Sequence, residues 1–245
     1  MMLIANMLNE TEKLWKHKRT KGFLLISIFI PIITVIILLF LRNNILGLGS
    51  NLPMLMLRLF TFFILPLFLF MSASESFSGE VASNTLKIGL VRPITRAKVF
   101  ASKVGAITTF LAILLGVLMI TTIISGWLLP DRSTANGLLD VVTAYGVAFI
   151  PLMAIGFVSV FISQFFNKSS GALATMILIY AAAKLAPFII PGISVWSLFS
   201  YTNWYILWIG NGASIAKLTN SFILIGSYCI MAYSAGLILF EKKQL

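Results

Sequence analysis

Seven charged side chains lie in one stretch of the chain, residues 75–103, between two long apolar runs. Because charges are costly in hydrocarbon, this stretch must lie in water or at a membrane surface. Its chemistry is that of ion pairing, either with a partner polypeptide or with anionic lipid headgroups. The charged residues are Glu75, Glu80, Lys87, Arg92, Arg96, Lys98 and Lys103.

Catalytic and metal chemistry are not supported by the rest of the sequence. The chain has one histidine, His17, and one cysteine, Cys229, which is too few for a His/Cys metal cluster or a disulfide within the chain. The closest stretch to a phosphate-binding Walker A loop, residues 210–219, lacks the Gly-Lys-Ser/Thr order. We therefore predict that the chain is not an enzyme and binds no cofactor of its own.

The composition is that of an integral membrane protein. Of 245 residues, 59% are hydrophobic and only 10% are charged, with a mean hydropathy of +1.01, whereas soluble domains carry about 25% charge. The net charge of +11 favours a basic cytoplasmic face on anionic lipid over nucleic-acid binding, which we do not expect.

Six apolar runs are long enough to cross a bilayer. The first stays as an anchor, since its uncharged stretch is longer than that of a cleaved signal peptide. With both termini in the cytoplasm, thirteen of the eighteen bases fall inside, three outside and two within spans, as the positive-inside rule favours. The predicted spans are 22–41, 53–73, 104–129, 139–163, 171–190 and 219–240.

Residues 191–212 are uncharged and could be taken for a seventh span. They contain several tryptophans and tyrosines broken by hydroxyl side chains, and amphipathic aromatics favour the membrane–water boundary. A further crossing would also place Lys242 and Lys243 outside. We predict an external interfacial or re-entrant element.

Residues 1–21 have apolar side chains at spacings of three and four, with most polar side chains on the other side. This pattern predicts an amphipathic helix in the interface plane. Within it, Glu12 and Lys16 are spaced to form an ion pair one helical turn apart.

The charged stretch is broken at its centre by Pro93, which disfavours helix at Arg92. Thr95 is a suitable N-cap for a helix that begins at Arg96. The third span would then project beyond the bilayer as a lever.

Within residues 74–103, the coupling segment, the order of motifs resembles that of ABC-2-type transporter permeases. An acid, Glu80, is followed by Thr85-Leu86, by the turn Arg92-Pro93-Ile94-Thr95-Arg96 and by Lys103 at the next span. The family often has glycine before the threonine, where this chain has Asn84, another residue that tolerates a left-handed backbone.

The resemblance implies one domain over residues 1–245, the membrane subunit of a bacterial ABC exporter in the plasma membrane. It implies two cytoplasmic ATPase partners that bind the ATP, a second copy or a similar permease, and a hydrophobic or amphipathic cargo such as an antibiotic, a peptide or a lipid-like molecule. Drug resistance or bacteriocin self-protection would fit such a subunit. The residues implied in ATPase coupling are Glu80, Thr85, Leu86, Arg92, Pro93, Arg96, Lys98 and Lys103.

Three alternatives stay open. The bases of the coupling segment could serve the positive-inside rule alone, and the chain could be a secondary carrier or channel, or a membrane scaffold or sensor. No acid lies well inside any predicted span, since all seven acids fall in aqueous segments or at span edges, and this weakens a proton-coupled carrier. Arg58 and Lys184, the two bases within spans, either snorkel to the interface or line the translocation pathway.

Overall fold

The structure, a computed structural model, describes residues 2–40, 51–83, 94–128, 137–190, 192, 196–209 and 214–243. The regular structure of these residues is helical throughout. The helices are α1 (Met2–Lys16), α2 (Lys18–Phe40), α3 (Leu52–Ala82), α4 (Arg96–Trp127), α5 (Leu138–Ser163), α6 (Ser169–Ile189) and α7 (Ile215–Lys242), with a 3-10 helix at Leu198–Trp208.

Within these ranges, the six helices α2 to α7 are long and apolar enough to cross a membrane. The predicted all-helical fold with six spans is therefore confirmed. The 3-10 helix of 11 residues would rise only about 22 Å, less than the roughly 30 Å of hydrocarbon. This described piece is therefore too short to cross by itself, and the interfacial or re-entrant element at residues 191–212 stays a prediction.

Helices α4 and α5 form the centre of the bundle. Their facing sides are fully buried at Phe110, Leu111, Ala148 and Leu152. Large apolar side chains on α2, α6 and α7 are exposed instead, which suits helices whose outer surface meets lipid. Helix α1 and the last residues of α7 lie at the same end of the bundle, the terminal end, since both contact the start of α4.

Helix α3 contains two π-helical turns, Phe60–Ile64 and Ser74–Gly79. It continues to Ala82, beyond the predicted end of the second span at residue 73, so the start of the coupling segment is part of this helix. The helix can extend past the hydrocarbon because Glu75 and Glu80 find ion-pair partners there.

Helix α4 begins at Arg96, as the sequence predicts, with Thr95 in an extended conformation. The Thr95 side chain makes no capping hydrogen bond. At 32 residues the helix is about 48 Å long, well over the thickness of the hydrocarbon core. The helix is thus longer than a perpendicular crossing requires, and the projection of its first turns beyond the bilayer stays a prediction.

The interface helix is shorter than the predicted residues 1–21. Helix α1 ends at Lys16 and α2 begins at Lys18, with His17 between them. The predicted Glu12–Lys16 ion pair forms at 2.7 Å, and the Lys16 ammonium lowers the pKa of the Glu12 carboxyl. Residues 18–21 belong instead to α2, the first helix that could cross the membrane.

Candidate coupling site

Lys103 places an amine inside the protein at the terminal end. The residue is only 2% exposed and lies on the second turn of α4. Its Nζ donates to Glu80 Oε2 at 2.7 Å and to Glu10 Oε2 at 3.1 Å. One buried cation therefore joins α4 to the end of α3 and to α1.

Lys13 of α1 also belongs to this ion-pair cluster, because it donates to Glu80. Among the described residues, bases and acids alternate in it as Lys13, Glu80, Lys103 and Glu10. Removal of one member of a buried pair typically costs about 3–5 kcal/mol, because it leaves the other charge unpaired in a medium of low dielectric. The cluster thus fixes α1 against the two helices that flank residues 84–93.

Neighbouring contacts hold α1 in the same position. The Asn6 amide donates to Ser102 Oγ at 2.7 Å, and Leu14 is buried in the core. At Gly105 a Cβ atom would lie only 2.9 Å from the Met7 sulfur. Glycine at this position therefore allows close approach of α1 and α4.

The junction of α1 and α2 is held by a second group of charges. Arg19 forms an ion pair with Glu75 of α3, and His17 Nδ1 lies 3.8 Å from the same carboxylate. Helix α3 therefore contacts the N-terminal segment twice, at Glu75 and at Glu80.

Arg96 ties the start of α4 to the end of α7. Its guanidinium donates to the carbonyl oxygens of Glu241 and Lys243 at 2.8 and 2.9 Å. A cation is favourable at a helix C-terminus because the last carbonyls carry partial negative charge. Lys243 in turn donates to the Gln164 carbonyl at 2.9 Å, and burial lowers the pKa of its ammonium group.

Aromatic packing reinforces the same end of the bundle. Phe100 of α4 contacts Phe77 of α3 and Phe240 of α7, with ring centroids 5.7 Å apart in both pairs. The Ser78 hydroxyl donates to the Ser163 carbonyl, which joins α3 to α5. The terminal ends of α1, α3, α4, α5 and α7 therefore form one connected block.

We expect Arg96→Gln to weaken this block only slightly, because its bonds are exposed to solvent. The apparent melting temperature of the purified chain should fall by about 1–3 °C. Lys98→Gln is the matched control, since Lys98 is exposed on the same turn and has no ion-pair partner among the described residues. Equal melting temperatures of the two variants would contradict a stabilising role for Arg96.

Four of the predicted coupling residues thus lie in the described structure. Glu80 and Lys103 are buried together, Arg96 contacts α7 and Lys98 is exposed. Thr85, Leu86, Arg92 and Pro93 lie outside the described residues. Sequence reasoning missed Glu10 and Lys13, although both are charged residues on α1 spaced one helical turn apart, which places them on one side of that helix.

The two bases within spans differ in their surroundings. Arg58 is exposed on α3, and no carboxylate of the described residues lies within 4 Å of it. Lys184 instead donates to the hydroxyl of Thr202 in the 3-10 helix at 2.9 Å. Both residues lie in the half of the bundle remote from the terminal end, and their role in a translocation pathway stays a prediction.

Comparison with known proteins agrees with this architecture. The family described as ABC-2 family transporter protein matches residues 10–184, from within α1 to within α6. No curated protein matches the chain significantly. Because the family match covers more than half of the sequence and six helices can span a bilayer, the chain belongs to the ABC-2 transporter family as a multi-pass membrane protein.

Proposed function

We propose that the chain is the permease subunit of an ATP-driven exporter and that the coupling segment, residues 74–103, receives the force of an ABC ATPase. The observation that carries the proposal is the buried cluster of Lys13, Glu80, Lys103 and Glu10. This cluster joins the end of α3 and the start of α4, which belong to the coupling segment, to α1.

The contacts around the cluster support a mechanical role. Residues 84–93 are joined at one side to α3 just after Glu80 and at the other to α4 through Thr95. Because both helices are fixed to α1 and Arg96 fixes α4 to α7, displacement of the segment would move the terminal ends together. When helices are rigidly connected in this way, a small displacement at one point reorients whole helices.

The charge distribution supports an inside location for the terminal end. Lys16, Lys18, Lys21 and Lys98 are basic residues at this end of the bundle, as expected for a cytoplasmic face. We therefore propose that both termini are cytoplasmic in a bacterial plasma membrane. Anionic lipid headgroups would contact the same bases.

The assembly we propose has two ATPase subunits and two permease subunits, the second permease being another copy or a similar chain. ATP would be bound by the ATPases, and this chain would bind no nucleotide, cofactor or nucleic acid. The cargo would be hydrophobic or amphipathic, such as an antibiotic, a peptide or a lipid-like molecule. Protection of the cell against a toxic compound is the role that suits such a cargo.

The proposal is tested by purification of the full chain from its native host. A Walker-motif ATPase should co-purify, and its ATP turnover should depend on the chain and on a transported compound. If the chain were a carrier, a channel or a scaffold without a motor, it would bring down no such ATPase.

Charge reversal at Lys98 gives a sharper test of the docking surface. Lys98 is exposed and unpaired among the described residues, so Lys98→Glu should leave the fold intact. We expect retention of the ATPase to fall about fivefold, which corresponds to about 1 kcal/mol for one exposed ion pair. Lys217→Glu, at an exposed base on the first turns of α7, is the control, and an equal loss in both variants would contradict docking at Lys98.

A further inference from the structure

Lys184 places an ammonium group between aromatic rings in the half of the bundle opposite the coupling site. Its Nζ lies 5.2 Å from the centroid of the Phe62 ring and 5.6 Å from that of Tyr180. The Tyr180 hydroxyl donates to the carbonyl oxygen of Phe62, within the first π-helical turn of α3. Three elements, α3, α6 and the 3-10 helix with Thr202, therefore meet around one amine.

The charge of this amine is not balanced within the described structure. No carboxylate of the described residues lies within 4 Å of Lys184, in contrast to Lys103, which has two. An ammonium group has three donors, and the described structure fills one of them with a neutral hydroxyl. The ring faces offset part of the charge, but an anion would complement it better.

Large apolar side chains beside Lys184 are exposed. Leu185 and Phe188 on α6 are 61% and 86% exposed, and Phe62 on α3 is 53% exposed. A single cation bordered by apolar surface matches a ligand with an anionic headgroup and an apolar tail.

The 3-10 helix that holds Thr202 consists of two short pieces that meet at a kink at Asn203. Its Leu198, Trp204 and Tyr205 are buried in the core, but two of its polar groups are left without partners among the described residues. Within the part of the chain that the structure describes, Asn203 Oδ1 and Trp204 Nε1 are buried without a hydrogen-bond partner. Such groups cost free energy, so this element is suited to rearrangement once its bond to Lys184 is lost.

We propose that Lys184, Phe62 and Tyr180 form a binding site for the anionic headgroup of an amphiphile, a phosphate or a carboxylate. The headgroup replaces the Thr202 hydroxyl as the hydrogen-bond acceptor of the Lys184 ammonium. The 3-10 helix is then released from its contact with Lys184. The interpretation of this release as the opening of an exit rests on the proposed permease function. The proposed binding site does not depend on that function. The proposal therefore names the cargo class and a gate for that function.

The test uses the full chain in phosphatidylcholine nanodiscs, without any ATPase. Three of the five tryptophans, Trp196, Trp204 and Trp208, lie in or beside the 3-10 helix, so tryptophan emission reports on its release. We expect dodecyl phosphate to shift the emission saturably, and dodecanol and inorganic phosphate to have little effect.

Substitutions test whether the change in tryptophan emission comes from binding at Lys184. Lys184→Gln should raise the half-saturating concentration of dodecyl phosphate by about tenfold or more, and Lys184→Arg should keep it within about threefold of the native value. Lys217→Gln, which removes an exposed base near the start of α7, should change nothing. Thr202→Val, which removes the competing hydroxyl together with its hydrogen bond to the Phe199 carbonyl, should lower the half-saturating concentration.

Equal affinities of the native chain and Lys184→Gln would overturn the proposal, as would an equal response to dodecanol. Weaker binding by Thr202→Val would overturn the competition between Thr202 and the headgroup.

Phosphatidylglycerol nanodiscs distinguish an added amphiphile from a bilayer lipid as the source of the headgroup. A shift of the tryptophan emission without added amphiphile supports the site with a bilayer lipid as its occupant. Because no ATPase is present, a negative result leaves the coupling proposal standing, and failure of ATPase co-purification leaves this one standing.

Discussion

Replacement of Lys103 by methionine is expected to lower the apparent melting temperature of the purified chain by about 10 °C. The side chain is buried between Glu80 and Glu10, and its loss leaves both carboxylates without this cation. The expected cost is about 3–5 kcal/mol, and for a chain of this size each kcal/mol corresponds to a shift of about 2–4 °C. Thermal unfolding in detergent, followed by tryptophan emission, measures the effect.

A second substitution separates the lost charge from the lost packing. In Lys103→Met with Glu10→Gln, the Glu10 carboxylate is no longer left without its Lys103 partner, so part of the stability should return. Lys98→Met on the same helix is the control, because Lys98 is exposed. If Lys103→Met and Lys98→Met melted at the same temperature, the cluster would not stabilise the bundle.

Replacement of Gly105 by leucine is expected to uncouple the permease from its ATPase without loss of the complex. A side chain at this position meets Met7 of α1 and should separate α1 from α4. Since coupling between sites is typically worth 1–3 kcal/mol, we expect cargo-stimulated ATP turnover to fall by about tenfold. The ATPase should still co-purify, because the exposed docking residues are unchanged.

Gly116→Leu is the matched control on the same helix, since a Cβ atom at Gly116 has no neighbour within 4 Å. Displacement of α1 is measured separately with cysteines in place of Asn6 and Ser102, whose side chains are hydrogen-bonded, after Cys229→Ser. Disulfide formation between them should be slower in Gly105→Leu. Normal ATP turnover together with slow disulfide formation would show that α1 does not transmit force.

Local composition was sufficient for the overall architecture. A bilayer imposes a length of about 20 apolar residues on each span, and that requirement is visible in any window of the sequence. The predicted fourth span, 139–163, accordingly matches α5, Leu138–Ser163, almost residue for residue. The start of α4 at Arg96 was also predictable from the local sequence, since Pro93 disfavours helix before it and Thr95 is a favourable N-cap residue type, although the Thr95 side chain makes no capping hydrogen bond.

The ends of the spans were harder to predict where charged residues occur. A hydropathy profile falls at each charged residue, so the predicted span ends there. The second span was therefore ended at residue 73, although α3 continues to Ala82. Its extension depends on Arg19, Lys13 and Lys103, which neutralise Glu75 and Glu80 from other helices.

The sequence by itself determined the membrane class, the six spans and the family resemblance, since each depends on residues close together in the chain. Only the tertiary structure decided the partners of the charges. Lys103 lies 23 residues from Glu80 and 93 from Glu10, and Lys184 meets Thr202 across two elements. Such pairs form because helix packing brings distant side chains together, and the order of residues along one helix does not specify which face of another helix it will meet.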